Sequence, residues 1–193
     1  MRKKITVFCG AADDCPAIYL DAAEELGRLI ARQGRTLVYG SGMVGLMGRV
    51  AKGAIEEGGF VVGINVECYR DFPPYPGTDE LLMAKTISER KNLLMERGDA
   101  YIALPGGVGT LDELMEVWGV AQAGLIDKPL SVLNVNHYYD GLLMQLERAY
   151  QDKLLKEKDY RRLLSASDPE TLLRLLDEYE RKDTLSQERG IRE

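Results

Sequence analysis

The segment Pro105–Glu113, which reads PGGVGTLDE, combines glycines, a threonine and a carboxylate at a spacing that could bind a phosphate. Glycines let backbone N–H groups approach a ligand closely, and the N-terminus of a helix adds unpaired donors and a partial positive charge. Thr110 adds a hydroxyl, and Glu113 follows one turn into the expected helix, where it can point back at the bound group. The segment therefore predicts a phosphate site with a carboxylate beside it.

A structural explanation of the same residues stays open at this point. Thr110 and Glu113 also form the capping-box pattern, in which two side chains only satisfy the first amides of a helix. Glycines between a strand and a helix can simply allow tight packing. The segment is not a Walker A loop, because the terminal lysine and hydroxyl residue of that motif are missing. Spacing alone does not decide between the two explanations.

Apolar runs and helical periodicities place this segment between a strand and a helix. Ala100–Leu104 is an apolar run typical of a buried strand, and apolar residues from Leu111 to Gln122 recur at helical spacing. Thr86 and Glu89 form a second capping box, which predicts a helix with Arg90 about one turn inside it. Further strands are predicted at 4–9, 36–39, 60–65, 80–85 and 130–135, with helices between most of them.

This alternation predicts an α/β fold of the Rossmann-like type, with three layers in which helices cover both faces of a doubly wound parallel sheet. Such folds bind ligands at the carboxyl ends of the strands, and each of three glycine turns follows a predicted strand. We therefore expect these turns, Arg90 and Glu113 at one edge of the sheet. A single nucleotide-binding domain is predicted over residues 1–180, followed by a charged, disordered tail over 181–193.

Two further segments suggest a ligand without defining one. Gly40–Gly45 matches the G-x-G-x-x-G pattern of dinucleotide-binding proteins, but the strand after it ends at Asn65 rather than at an acidic residue. We interpret it as a turn that lets a ligand or the backbone come close, not as a site for NAD. The aromatic, proline-rich loop Glu67–Thr78 fits a lid or partner contact and fits a plain surface excursion equally well.

Composition excludes several classes of protein. A net charge of −6 argues against nucleic-acid binding, and no apolar run is long enough to cross a membrane. The three cysteines show no paired spacing, which predicts a reduced, cytoplasmic protein, and Cys9 is expected to be a buried small residue rather than a nucleophile. His137 has no partner at metal-ligand spacing, so we expect no metal and no cofactor.

Several segments resemble, in order along the chain, the LOG (LONELY GUY) family of phosphoribohydrolases. Pro105–Glu113 is similar to the family signature PGGxGTxxE. The other matching segments are Val7–Gly10, Val38–Gly48, Glu89–Lys91, Ala121–Gln122 and Asp127–Pro129. Their joint occurrence over roughly residues 4–178 is specific, whereas any one of them alone is not.

The resemblance implies hydrolysis of the N-glycosidic bond of a nucleoside 5′-monophosphate, AMP or a cytokinin riboside monophosphate, to the free base and ribose 5-phosphate. It makes Arg90 and Glu113 the catalytic pair. Cleavage builds oxocarbenium-like charge on the sugar, which a carboxylate beside the ribose stabilises or relieves by activating water. The substrate-binding residues are then expected to be Gly10, Gly42, Arg90, Lys91, Gly106, Gly107, Val108, Gly109, Thr110 and Glu116. Lys91 is equally compatible with a solvated position.

The chain departs from the family pattern at several positions. These departures bear on which nucleobase the substrate carries more than on the reaction itself. Ile87–Ser88 stand where the family often has Met-His, Ala11 replaces a common serine, and Trp118 and Val120 also differ. The alternative function is a Rossmann-like nucleotide-binding or carrier protein without catalysis. The label lysine decarboxylase, which many members of the family carried, implies pyridoxal phosphate and a Schiff-base lysine, for which no lysine stands out.

The helix after the glycine segment is apolar almost all round, which predicts a partner surface. A helix that covers a sheet needs only one apolar stripe, and the surplus must be buried elsewhere. The resemblance also implies a homodimer packed near the site. We therefore expect an isologous homodimer through this helix and the Arg90 helix. The apolar residues concerned are Leu114, Met115, Val117, Trp118, Val120, Ala121 and Ala123.

Overall fold

The computed structural model describes residues 3–188, which form seven strands and seven helices. The strands are β1 Lys4–Phe8, β2 Thr36–Tyr39, β3 Phe60–Val66, β4 Glu80–Ala84, β5 Ala100–Ala103, β6 Leu130–Leu133 and β7 Leu163–Ala166. The helices are α1 Ala17–Arg32, α2 Gly45–Glu56, α3 Ile87–Arg97, α4 Val108–Gln122, α5 Asp140–Gln151, α6 Glu157–Tyr160 and α7 Pro169–Glu188. Short 3₁₀ turns lie at Glu67–Tyr69 and Val135–His137.

All seven strands pair in parallel in the order β4-β3-β2-β1-β5-β6-β7. The chain builds outward from β1 to β4 and then returns to the other side of β1 with β5. The topological switch point therefore lies between β1 and β5, whose carboxyl ends carry the first and third glycine turns. Parallel sheets of this kind bind ligands at that point.

Helices cover both faces of the sheet. One core contains residues of α1, α2 and α7, such as Leu26, Val50 and Leu173. The other contains residues of α3 and α4, such as Leu94 and Leu114. The predicted three-layer, doubly wound α/β fold is confirmed.

The structure adds elements that the sequence did not predict. β7 is a half-buried edge strand, and the charged stretch before it contains α6. The loop after β3 is tied down: the Asn65 amide donates to the carbonyls of Tyr69 and Phe72 at 3.3 and 3.1 Å, and the Tyr75 N–H donates to the Tyr39 hydroxyl at 3.2 Å. These contacts favour a fixed surface loop over a lid.

The predicted division into a domain and a tail stays a prediction. α7 continues through Glu188, and residues 189–193 lie outside the described part of the chain. None of the helices in residues 3–188 is both long and apolar enough to cross a membrane. Across the same residues, no group of three or more His, Cys, Asp and Glu side chains could hold a metal ion.

Candidate functional site

The three glycine turns meet above the carboxyl ends of the neighbouring strands β2, β1 and β5. The Gly10 N–H donates to the Pro105 carbonyl at 3.0 Å, and the Leu46 N–H donates to the Gly10 carbonyl at 3.1 Å. These bonds join the turns around a cleft of about 260 Å³. The cleft is lined by Val7, Cys9, Gly10, Ala11, Gly40, Met47, Arg90, Gly107, Gly109, Thr110 and Glu113.

Arg90 and Glu113 form an ion pair in this cleft. Arg90 Nη1 donates to Glu113 Oε1 at 2.7 Å, and the two side chains are only 15% and 13% exposed. Arg90 Nε also donates to the Ile64 carbonyl at 3.0 Å, and Nη2 donates to the Gly40 carbonyl at 3.1 Å. The ends of β2 and β3 therefore hold the guanidinium in one position, and the guanidinium holds the carboxylate.

Gly40 is required by this arrangement rather than by a dinucleotide. A Cβ at Gly40 would lie 2.1 Å from Arg90 Nη2, so only glycine leaves room for the guanidinium. The rest of the second glycine turn is filled by the protein itself. The N–H of Gly45, at the start of α2, donates to Asp13 Oδ1 at 2.6 Å, and a Cβ at Gly45 would lie 2.5 Å from the carbonyl carbon of Ala11. The carboxylate of Asp13 thus occupies the place that a phosphate would take at this helix N-terminus.

Burial sets the protonation of the two acidic groups on the floor of the cleft. It raises the pKa of the Glu113 carboxyl above its ordinary value, and the neighbouring Arg90 guanidinium offsets part of this rise. A carboxylate in such a site is a stronger base than one in water. Burial, with a smaller contribution from Glu113, also raises the pKa of the Cys9 thiol. The thiol is therefore neutral, which agrees with a packing role rather than a nucleophilic one.

The structural explanation of Thr110 and Glu113 as a capping box is wrong. α4 begins at Val108 with Gly107 as its N-cap, and no side chain caps it. The Glu113 carboxylate accepts from Arg90 instead of turning back to the backbone. The second predicted box is present in one of its two bonds: Thr86, the N-cap of α3, accepts from the Glu89 N–H through its Oγ1 at 3.1 Å. The Glu89 carboxylate accepts from the N–H of Lys85, one residue before the N-cap, at 2.8 Å.

The N-terminus of α4 presents open space beside its backbone amides. A Cβ added at Gly107 or Gly109 would meet no other atom within 4 Å, and neither residue has a positive φ. The fold itself therefore does not require glycine at these two positions. Both glycines lie at an uncapped helix N-terminus that faces a cleft. Their presence there is consistent with an anionic ligand that comes close to the backbone.

The cleft brings together six of the predicted site residues, and five others lie outside its lining. Gly42 packs against Met47, where an added Cβ would lie 2.5 Å from the Met47 methyl carbon. Val108 is 84% exposed. Lys91 pairs with Glu116 and, at 3.0 Å, with Asp112, so it bridges α3 and α4 outside the cleft. The six that line it are Gly10, Arg90, Gly107, Gly109, Thr110 and Glu113; the fifth residue outside, Gly106, lines the neighbouring cavity.

Sequence reasoning missed several residues that shape the site. Met47 and Gly40 also line the cleft. Gly40 belongs to the turn predicted to let a ligand or the backbone come close, but it is not among the predicted site residues, and no chemical feature of Met47 pointed to that role. Asp13 could have been suspected, because an acidic residue in one turn can serve the N-terminus of a neighbouring helix. Within the described chain, none of the residues that line the cleft is a lysine.

The chain is similar to known proteins over most of its length. Residues 47–176 match the sequence model of a family described as possible lysine decarboxylase. The chain is 42% identical over 170 residues to the cytokinin riboside 5′-monophosphate phosphoribohydrolase of Rhodococcoides fascians, covering 87% of this chain and 86% of that protein. It is 38% identical over 179 residues to the enzyme of the same name, LOG, from Oryza sativa subsp. japonica, covering 92% and 74%.

Solved structures share the fold. A molybdenum cofactor binding protein from Rippkaea orientalis superposes with a TM-score of 0.73 at 25% identity, covering 92% of this chain and 97% of that one. The Moco carrier protein of Chlamydomonas reinhardtii gives 0.72 at 21% identity, covering 94% and 99%. Since its sequence matches phosphoribohydrolases at 36–42% identity over most of its length, this chain belongs to the LOG family.

Proposed function

We propose that the chain hydrolyses the N-glycosidic bond of a nucleoside 5′-monophosphate and releases the free base and ribose 5-phosphate. The observation that carries this proposal is the largely buried ion pair of Arg90 and Glu113 beside the uncapped N-terminus of α4. Relatives named cytokinin riboside 5′-monophosphate phosphoribohydrolase support the substrate class, which includes AMP and cytokinin riboside monophosphates.

In this mechanism the 5′-phosphate binds the amides of Gly107 and Gly109 and the hydroxyl of Thr110. The ribose then lies over Glu113, which is one turn further along α4. As the bond between the base and C1′ breaks, the electron pair leaves with the base and positive charge develops on the sugar. The Glu113 carboxylate stabilises that charge and takes a proton from the water whose oxygen bonds to C1′. The departing base takes up a proton at the nitrogen released from C1′, and Glu113 gives up its proton to regenerate the carboxylate, so that water is added across the broken bond.

Arg90 orients the carboxylate and retains donors for the substrate. A guanidinium has five N–H donors, and the contacts to Ile64, Gly40 and Glu113 use three of them. One N–H on each terminal nitrogen remains for the ribose or for the departing base. We assign Arg90 both roles, because its position between two strand ends and the carboxylate allows it to orient Glu113 and to contact the substrate.

A carrier without catalysis is the alternative, since the structurally similar molybdenum cofactor proteins share this fold. A binding module needs donors for its ligand, but it does not need a buried carboxylate held against an arginine in the same cleft. The description lysine decarboxylase also fits the site poorly, because a pyridoxal phosphate enzyme requires a lysine at the reacting centre. Both points favour the hydrolase.

The decisive experiment is incubation with AMP, followed by assay for adenine and ribose 5-phosphate. We expect both products in equal amounts from AMP and a kcat/KM for adenosine lower by about 10³-fold or more, because binding of the phosphate supports the chemical step. Binding of AMP without release of adenine would favour the carrier. Equal kcat/KM values for adenosine and AMP would show that binding of the 5′-phosphate does not support the chemical step.

Gly109→Ala should separate stability from activity. Alanine in a helix is more stable than glycine by about 0.5–1 kcal/mol, and the added Cβ meets no other atom of the chain. We expect an unchanged or higher melting temperature, together with a KM for AMP raised about tenfold or more by the methyl group beside the phosphate. Melting curves and initial rates measure the two effects.

Gly141→Ala is the matched control for this variant. Gly141 is also the second residue of a helix, α5, and a Cβ there also meets nothing within 4 Å. This variant should gain similar stability and keep the wild-type KM. A wild-type KM in Gly109→Ala would show that the phosphate does not approach this residue.

We also propose that the chain forms a homodimer through α3 and α4. Fewer apolar residues of α4 are exposed than its sequence suggests, because Leu114 and Trp118 are buried within the protomer. Leu111 and Met115, one turn apart on α4, remain exposed together with Ile87 of α3. Sedimentation at micromolar concentration should give twice the 21.6 kDa mass of the chain. A monomer with full activity would exclude the dimer and any site shared between protomers.

A cytoplasmic location is part of the same proposal. Cys9, Cys15 and Cys68 are all free thiols. Proteins without disulfides are typical of a reducing compartment.

A further inference from the structure

Tyr138 contacts the glycine turn from the side away from the cleft. Its hydroxyl donates to the Gly106 carbonyl at 2.7 Å. The contact lies in a second, largely apolar cavity of about 280 Å³, which shares Gly10, Ala11 and Gly107 with the cleft. The peptide that joins Gly106 to Gly107 thus separates the two cavities.

The geometry of that peptide connects the Tyr138 contact to the substrate. A trans peptide is planar, with its C=O and N–H on opposite sides, and none of the described peptides is cis. When the Gly106 carbonyl points to Tyr138, the N–H of the same peptide, which belongs to Gly107, points the other way. Gly107 lines the cleft and Gly106 does not, which fits an N–H that faces the phosphate of the proposed substrate.

A peptide between two glycines has an unusual freedom to rotate. Neither residue has a Cβ, so the steric barrier that fixes other peptide planes is absent. A rotated peptide would turn the Gly106 carbonyl oxygen toward the cleft and oppose an anion there. A hydrogen bond that holds the carbonyl on the other side therefore fixes the donor direction of Gly107.

The turn before Tyr138 is strained and tightly fixed. Asn136 and His137 both have positive φ angles, 49° and 61°. Asn134 holds the turn, because its Oδ1 accepts from the Tyr139 N–H at 2.7 Å and its Nδ2 donates to Asp140 at 2.8 Å. Left-handed conformations of non-glycine residues persist only where the surrounding structure imposes them, and they cluster at functional sites.

Aromatic contacts fix the ring of Tyr138 as well. It packs edge-to-face against Tyr19 and Tyr139, with ring centroids 5.5 and 5.1 Å apart. The strained turn and the two rings leave the hydroxyl aimed at Gly106. Because Tyr138 is 42% exposed, its packing contributes less to the core than that of a buried tyrosine would.

We propose that Tyr138 is a positioning residue that holds the Gly106–Gly107 peptide so that the Gly107 N–H faces the 5′-phosphate of the substrate. This inference rests on the proposed function and concerns a residue that does not touch the substrate. It acts on phosphate binding and not on the reacting carbon. Loss of the hydroxyl should therefore raise KM for AMP and leave kcat close to that of the wild type.

Tyr138→Phe tests the proposal, and Tyr139→Phe is the matched control. The Tyr139 hydroxyl also donates to a carbonyl, that of Leu104, at 2.6 Å. The peptide after Leu104 leads to Pro105, which has no N–H to direct. Titration calorimetry with ribose 5-phosphate measures phosphate binding without turnover, and initial rates with AMP give kcat and KM.

We expect Tyr138→Phe to weaken ribose 5-phosphate binding and raise KM by about tenfold, with an unchanged melting temperature and kcat. Tyr139→Phe should lower the melting temperature and keep the wild-type affinity. Wild-type affinity in Tyr138→Phe would overturn the inference and leave the proposed function standing, as would an equal loss in both variants. If the wild-type protein did not bind ribose 5-phosphate, the inference would fail, whereas release of adenine from AMP would still decide the proposed function.

Discussion

Glu113→Gln should release adenine from AMP at least about 10³-fold more slowly than the wild-type protein. Glutamine keeps the shape of the side chain, and its amide oxygen can still accept from Arg90 Nη1. It carries no negative charge to oppose the developing positive charge on the ribose, and it cannot accept a proton from water. The variant therefore removes the proposed chemical role of Glu113 and leaves the packing of the cleft intact. Single-turnover rates with AMP measure the loss of the chemical step directly.

Binding and stability should change little in this variant. A carboxyl whose pKa is raised by folding contributes stability that is present at low pH and lost as the pH rises through that pKa. A neutral amide retains this contribution at pH 7, so the melting temperature should stay the same or rise. Asp112→Asn is the control, because Asp112 is the neighbouring acid and pairs with Lys91 outside the cleft. Near-normal turnover in Glu113→Gln, with Asp112→Asn also active, would contradict the mechanism.

Much of the fold and the place of the site could be predicted, because both depend on local patterns. Buried parallel strands give short apolar runs such as Ala100–Ala103, and helices give a period of 3.6 residues. In a parallel sheet, every turn that follows a strand lies at the same edge. This rule alone predicts that the glycine turns and Glu113 lie together.

The parts that were missed depend on contacts between distant residues. Lys91 directly follows Arg90, and Glu116 lies three residues after Glu113, but their mutual ion pair turns them toward each other between α3 and α4. A polar helix has no clear apolar stripe, so its sequence does not show which side of the helix faces its neighbours. Gly40 serves Arg90, a residue 50 positions away, and no local pattern reports such a contact. β7 was missed because it is a short edge strand with only half-buried side chains.

Arg90→Lys should lower kcat for AMP on the order of 10²-fold, although it keeps the positive charge. A lysine has one nitrogen, whereas Arg90 uses three separate nitrogens to contact the Ile64 carbonyl, the Gly40 carbonyl and Glu113. The ammonium group cannot reach all three acceptors at once. The lysine will therefore leave either the carboxylate without a fixed orientation or a strand-end carbonyl without a donor. Each unsatisfied group lowers the free energy of unfolding by about 1–3 kcal/mol.

Arg97→Lys provides the control on the same helix. Arg97 makes an exposed ion pair with Glu80 at 3.2 Å, and a lysine can replace it there. We expect wild-type kinetics and melting temperature for Arg97→Lys, against a lower melting temperature and a much lower kcat for Arg90→Lys. If Arg90→Lys kept at least half of the wild-type kcat, charge alone would suffice at this position. The three-point attachment of the guanidinium would then have no part in orienting Glu113.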